Sequence, residues 1–160
     1  MNKEQLRQHI IAALHSDLTV LTTAATAAHQ AATHEECIPD NKYDTTALEA
    51  SYIAQGQANR AQEIRVALES YRKLKLQAFD EETSVGLTAL ITLEDEAKHR
   101  RQVFLGPHAG GLKIATDSTE IVVITPRSPL GRNLIGKFSG DEVEAGADAS
   151  QKTYTITSIC

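Results

Sequence analysis

Tryptophan is absent from the chain, and phenylalanine occurs 3 times and tyrosine 4 times. So few rings suit helices packed through alanine and leucine better than a large ligand cavity walled by aromatic side chains. Cysteine is as scarce. Cys37 and Cys160 form no CxxC pair and fall far short of a secreted disulfide scaffold, which favours a reduced, intracellular setting. No run of about 18 or more apolar residues occurs, and the opening Met1-Asn-Lys-Glu-Gln-Leu6 lacks the basic-then-apolar order of a signal peptide, so a cytoplasmic location is expected. Positive charge is in deficit too. With 16 Lys and Arg against 21 Asp and Glu the formal charge is −5, which argues against non-specific binding of naked nucleic acid through many phosphate contacts and leaves only a local basic patch open. There is no Ser-His-Asp order, P-loop or dinucleotide fingerprint. The glycines between Gly106 and Gly111 are not followed by the Lys-Ser/Thr of a phosphate loop.

What is present falls into two halves with different periods. The 160 residues, 41% hydrophobic and 23% charged, suffice for one or two small soluble domains. Leu6, Ile10, Leu14, Leu18, Leu21, Ala25, Ala28 and Ala32 recur at spacings of three or four. A second stripe runs through Ala47, Ala50, Ala54, Ala58, Ala61, Ile64, Leu68, Tyr71, Leu74 and Ala78. These predict two helices of roughly 30 residues flanking a bend centred on Pro39. They should fold back as an antiparallel coiled-coil hairpin about 45 Å long. Leucine and isoleucine dominate at the base and alanine toward the bend, so the distal half should be thin. Gly56 is the one internal weak point, worth about 1 kcal/mol against alanine. The bend is acidic: Glu35, Glu36, Asp40, Asp44 and Glu49 crowd around Lys42.

After Phe79 the period drops to two. Val85 to Leu93 alternates, and strand-like runs follow at 101–105, 112–115, 119–124, 141–144 and 153–159, with Asp80 to Ser84 as the linker. One helix interrupts them: Ser128 can cap it, Pro129 suits its first position, Leu130, Leu134 and Ile135 supply an apolar face, and Gly136 can close it with positive φ. The expected fold class is α+β in two domains: residues 1–79 a helical hairpin with its tip at about 33–46, and residues 80–160 a small antiparallel β domain with one short helix.

The run Ile124-Thr-Pro-Arg-Ser128-Pro129-Leu130-Gly131-Arg132-Asn-Leu134-Ile135-Gly136-Lys137, continued by Gly140-Asp141-Glu142-Val143 and a final strand Tyr154-Thr-Ile156, resembles the C-terminal domain of the bacterial Gre transcription elongation factors. The likeness extends to the whole architecture, because those proteins also join an N-terminal helical hairpin to an FKBP-like domain. It implies an auxiliary factor and not an enzyme in its own right. Such a factor binds RNA polymerase through the C-terminal domain and inserts the hairpin tip through the secondary channel, where carboxylates share a second Mg²⁺ with the polymerase and promote cleavage of backtracked RNA. Mg²⁺ prefers oxygen ligands and keeps several waters, so one or two added carboxylates can complete a site built mostly by the partner.

The tip departs from the family pattern Gly-Asp-Leu-Ser-Glu-Asn-Ala-Glu-Tyr. Aligned on Tyr52, the chain has Thr45 and Leu48 where the acids belong, and Asp44 and Glu49 stand one position outward on each side. Five helical residues turn two side chains about 140° apart, so Asp44 and Glu49 could share a metal only with Asp44 in the turn. Asp44 and Glu49, with Asp40 third, are the candidates for the shared Mg²⁺, and Tyr43 and Tyr52 are expected to brace the tip by packing. Each has a competing structural role. Thr46-Ala-Leu-Glu49 fits a capping box, Asp44 suits a turn or a helix N-terminus, and the other acids can simply solvate a bend. His34-Glu-Glu-Cys37 matches no zinc spacing. Arg60, Arg65 and Arg72 give the second helix a basic flank able to touch nascent RNA, against ordinary helix-surface charge. Arg127, Arg132 and Lys137 flank the short helix, where a polymerase-docking surface is plausible. The rival readings are a polymerase-binding regulator without cleavage stimulation, a coiled-coil adaptor, and a proline isomerase or chaperone, the last disfavoured by the scarcity of aromatic residues. A monomer is expected.

Overall fold

The computed structural model describes residues 2–33, 46–116, 119–146 and 151–160. Its elements are α1 (Lys3–Thr33), α2 (Thr46–Lys73), β1 (Leu90–Asp95), β2 (Arg100–Leu105), β3 (Lys113–Ala115), β4 (Glu120–Ile124), α3 (Pro129–Leu134), β5 (Glu142–Ala145) and β6 (Lys152–Ile159). The fold is α+β. By contacts the chain divides into two compact units, one of Met1–Ile10 with Ser70–Cys160 and the other of Ile11–Glu69. Packing therefore groups the first turns of α1 and the last turn of α2 with the sheet, whereas the expected 79/80 boundary followed the change of period.

The two stripes form two helices, as their spacing predicts. By length and hydropathy alone α1 would also suffice to cross a membrane, but this is weak evidence, because alanine supplies much of its apolar character and Asp17 lies mid-helix. The helices run antiparallel. Arg7 Nη1 donates to Leu74 O at 3.0 Å and Lys3 Nζ to Gln77 O, while Thr22 to His29 line the same cleft as Ser51 to Arg65. The helix does not continue through Leu74 to Ala78 as the stripe suggested. It stops at Lys73 because the segment beyond has better partners. Lys3 and Arg7 take its carbonyls, Gln77 N donates to Thr88 Oγ1 at 2.9 Å, and Lys3 Nζ sits 4.6 Å from the centroid of the Phe79 ring.

The six strands make one sheet in the order β3-β4-β2-β1-β6-β5. It is antiparallel except for one pair: β2 and β4 run parallel, Gln102 opposite Ile121 through Leu105 opposite Ile124. The chain achieves this by sending β3 to the sheet edge and returning β4 between β3 and β2. The first strand begins at Leu90 and not at Val85. Thr88, at φ 73°, breaks the extended backbone, and Val85 pairs instead with the loop after α3 through Val85 N to Lys137 O and Gly136 N to Val85 O, at 2.8 and 2.9 Å. In the β1–β6 pair the register slips at Thr92, leaving Thr157 as an extra residue whose hydroxyl bonds Thr92 O at 3.2 Å.

One face of the sheet carries the core of Val85, Ile91, Leu93, Val103, Leu105, Leu134, Val143 and Ile156, closed by α3. Phe104, alternating with Val103 and Leu105, is also fully buried, as are Leu6, Ile10 and Tyr71 of the helix ends in the same unit. Each such side chain contributes about 1.5–3 kcal/mol on leaving water.

Candidate functional site

The segment from β4 to β5 is built by short-range chemistry. Ser128, extended at φ −68° and ψ 151°, caps α3: its Oγ accepts from Gly131 N at 3.1 Å and donates to Thr125 O at 2.7 Å. Pro129 occupies the first turn, where no N–H is missed. Gly131 is required by space, since a Cβ there would lie 2.0 Å from Thr125 O. Gly136, at φ 81°, turns the chain out of the helix. Phe138 and Asp141 then close a turn on each other, Phe138 N donating to Asp141 Oδ2 at 2.8 Å and Asp141 N to Phe138 O at 3.1 Å.

This bonded loop presents two large apolar side chains to solvent, Ile135 at 46% exposure and Phe138 at 44%. Ile135 was expected on the buried face of the helix. It lies one residue past the end of α3, at φ −56° and ψ 130°, so the helical period no longer governs its direction. Leu134 is buried, Leu130 half-buried. Arg127 in the preceding turn and Arg132 on α3 are exposed, while Lys137 is half-buried beside Asn133, Glu142, Glu144 and Thr153. Asn133 Nδ2 donates to Glu144 O at 3.1 Å, so α3 also occupies part of the outer edge of β5. The sequence-predicted cations of this region thus lie along one stretch of chain with an apolar pair between Arg132 and Asp141. The pair itself was missed, and the only signal for it was the termination of the helix at Gly136.

The other expected site residues are on the hairpin. Asp40, Tyr43 and Asp44 lie outside the described residues. Glu49 is in the first turn of α2 and exposed. Tyr52 is 69% exposed on α2, and the tip it was expected to brace lies outside the described residues. Arg60 pairs with Glu63 at 2.7 Å, Arg65 Nη1 donates to Gln62 Oε1 at 3.3 Å and borders the cleft between the helices, and Arg72 stands in the last turn of α2, where a cation suits the helix dipole. Among the described residues no group of three or more His, Cys, Asp or Glu is placed to hold a metal ion. Of the three candidate ligands only Glu49 lies among the described residues.

A helical pair joined to a six-stranded α+β domain, with an exposed apolar loop beside a capped short helix, is the class of protein these features define. The family model described as "Transcription elongation factor, GreA/GreB, C-term" matches residues 80–160, and the chain belongs to that family. No curated protein matches the chain. Among solved structures it is similar to the GreA factor homolog 1 (Gfh1) of Thermus thermophilus, with 17% identity, 94% of each chain covered and a TM-score of 0.39. It is also similar to Thermus aquaticus Gfh1, with 19% identity, 95% of this chain and 92% of that one covered and a TM-score of 0.38. A GreA/GreB elongation factor from Nitrosomonas europaea shares 17% identity over 60% of this chain and 78% of its own, with a TM-score of 0.37. Likenesses of this size transfer no residue roles.

Proposed function

We propose that the chain is a monomeric, cytoplasmic factor that binds RNA polymerase through the surface around α3 and carries the bend between α1 and α2 through the secondary channel, modulating elongation. The family match over the domain that carries this surface is the observation that supports the reading most. Ile135 and Phe138 would supply the apolar centre of the contact, with Arg127, Arg132 and Lys137 around it, an arrangement suited to a docking patch with a charged rim. Arg60, Arg65 and Arg72 would face nascent RNA. Asp44 and Glu49, with Asp40, would offer oxygen ligands to a Mg²⁺ held mainly by the polymerase, an ion that polarises phosphate oxygens and activates water. The hydrolytic chemistry belongs to the polymerase.

A second reading is favoured by one observation: the tip acids stand one position outside the family's pattern, and Glu49 falls in the first turn of α2, where a carboxylate also serves the helix itself. In that case the protein binds the polymerase and alters elongation without stimulating cleavage. A backtracked elongation complex separates the two. Shortening of the RNA from its 3′ end on adding the protein, lost in Asp44→Ala, supports cleavage stimulation. Binding without shortening supports the regulator, and failure to co-elute with core polymerase sinks both.

A further inference from the structure

On α1 the fully buried side chains end at Leu14, and on α2 they begin at Ala61. Between those points every residue whose burial is described is half-buried or exposed. The stripe on α1 continues through Leu18, Leu21, Ala24, Ala25 and Ala28, all only half-buried. On the facing helix the seam positions Tyr71, Leu68, Ile64 and Ala61 lead, at the same spacing, to Gln57. Its Oε1 is enclosed without a hydrogen-bond partner. An amide oxygen stripped of water and given no donor opposes closure of the seam at that level. A cleft of about 460 Å³ opens between the helices around that level and reaches back to Ala61 and Arg65, lined by Thr22, Ala25, His29, Ser51, Gln55 and Ala58 among others.

Alanine favours the helical backbone in this half but offers little side chain to hold one helix against the other. Thr19 and Thr26 turn their hydroxyls back onto the carbonyls of His15 and Thr22 at 3.0 and 2.9 Å, a contact that weakens helices slightly, and Gly56 sits mid-helix. In proteins most helical stability comes from a packed apolar face. Val20, Leu48, Tyr52 and Ile53 meanwhile leave large apolar surfaces in water.

We infer that residues 22–33 of α1 and 46–60 of α2 form a separate cooperative unit that opens while residues 3–21 and 61–73 stay closed, and that enclosure by the polymerase closes it. The second clause rests on the proposed function; the first does not. Gln57 sets the level of the break, and Leu48, Tyr52 and Ile53 are the surfaces whose burial would drive closure.

Hydrogen exchange of the full chain, read by mass spectrometry, tests both. In the free protein, amides in 24–33 and 50–60 are expected to exchange roughly 100-fold faster than those in 7–21 and 61–73, the span between a locally opening segment and a core one. Equal protection along the helices overturns the inference. Gln57→Leu should slow the distal amides about 10-fold and leave the base unchanged, because it removes the unpaired oxygen and extends the apolar seam. An unchanged distal rate overturns the role of Gln57. Saturating core polymerase should then protect the distal amides. If the polymerase co-elutes but protection does not rise, the coupling is wrong. If it does not co-elute, the functional reading fails, while the contrast in the free chain still decides the first clause.

Discussion

Gly106 and Tyr71 are fitted to each other. A Cβ at position 106 would lie 2.1 Å from Tyr71 Oη and 3.3 Å from Val123 Cγ1, while the phenol donates to His108 O at 2.8 Å. Gly106→Ala should cost about 1–3 kcal/mol through overpacking, and Tyr71→Phe about 1 kcal/mol for the lost hydrogen bond. Together they should cost clearly less than the sum, because the atom that clashes with the new methyl has gone. Urea melts of the four proteins measure this, and additive costs would refute the fit. The same ring governs behaviour in alkali. Burial pushes the Tyr71 phenol well above its ordinary value, against the weaker opposing pull of the bond to His108. The unfolded chain releases this proton near pH 10 while the folded chain retains it, so the contribution is whole below about pH 10 and falls as pH rises beyond it. Stability measured between pH 9 and 11 should therefore decline more steeply in the wild type than in Tyr71→Phe.

Gly56 shows a different use of space at the scale of the element. A Cβ there meets nothing within 4 Å, so Gly56→Ala should stabilise α2 by up to about 1 kcal/mol. Circular dichroism melts read the gain, and a loss instead would mean that position 56 is packed. Much of this level was legible. Spacing found both long helices, and Ser128, Pro129 and Gly136 marked α3 to within a residue because capping and positive φ are local requirements of the chain. The rest was set at a distance. The pattern from Val85 to Leu93 has strand period throughout, yet Thr88 adopts φ 73°, a conformation threonine does not favour, because its buried position joins Gln77 N to its hydroxyl and its own N–H to Leu105 O. Nothing in residues 100–124 distinguishes a parallel β2–β4 pair from a hairpin, since both read as the same alternation. The end of α2 likewise depends on Lys3 and Arg7, some 70 residues away in sequence.

For the whole molecule, the sequence carried the family in the dense motif from Ile124 to Lys137, where Ser128, Pro129, Gly131 and Gly136 answer local demands of cap, turn and close approach. It did not reveal the exposed pair Ile135 and Phe138, because an apolar residue adjoining a helix reads as core until the helix is seen to stop. That pair allows docking and tip action to be tested apart. Neither side chain is buried, so replacing both with glutamate should leave thermal unfolding within about 0.5 kcal/mol of the parent, as exposed substitutions generally do. At a polymerase interface the same change would place two unpaired carboxylates in the apolar centre of the contact, and affinity should fall at least roughly 10-fold in a pull-down or fluorescence titration. Asp44→Ala should do the reverse, keeping affinity and changing only what the bound complex does to its RNA. Polymerase affinity unchanged by Ile135→Glu with Phe138→Glu would remove the surface around α3 from the interface.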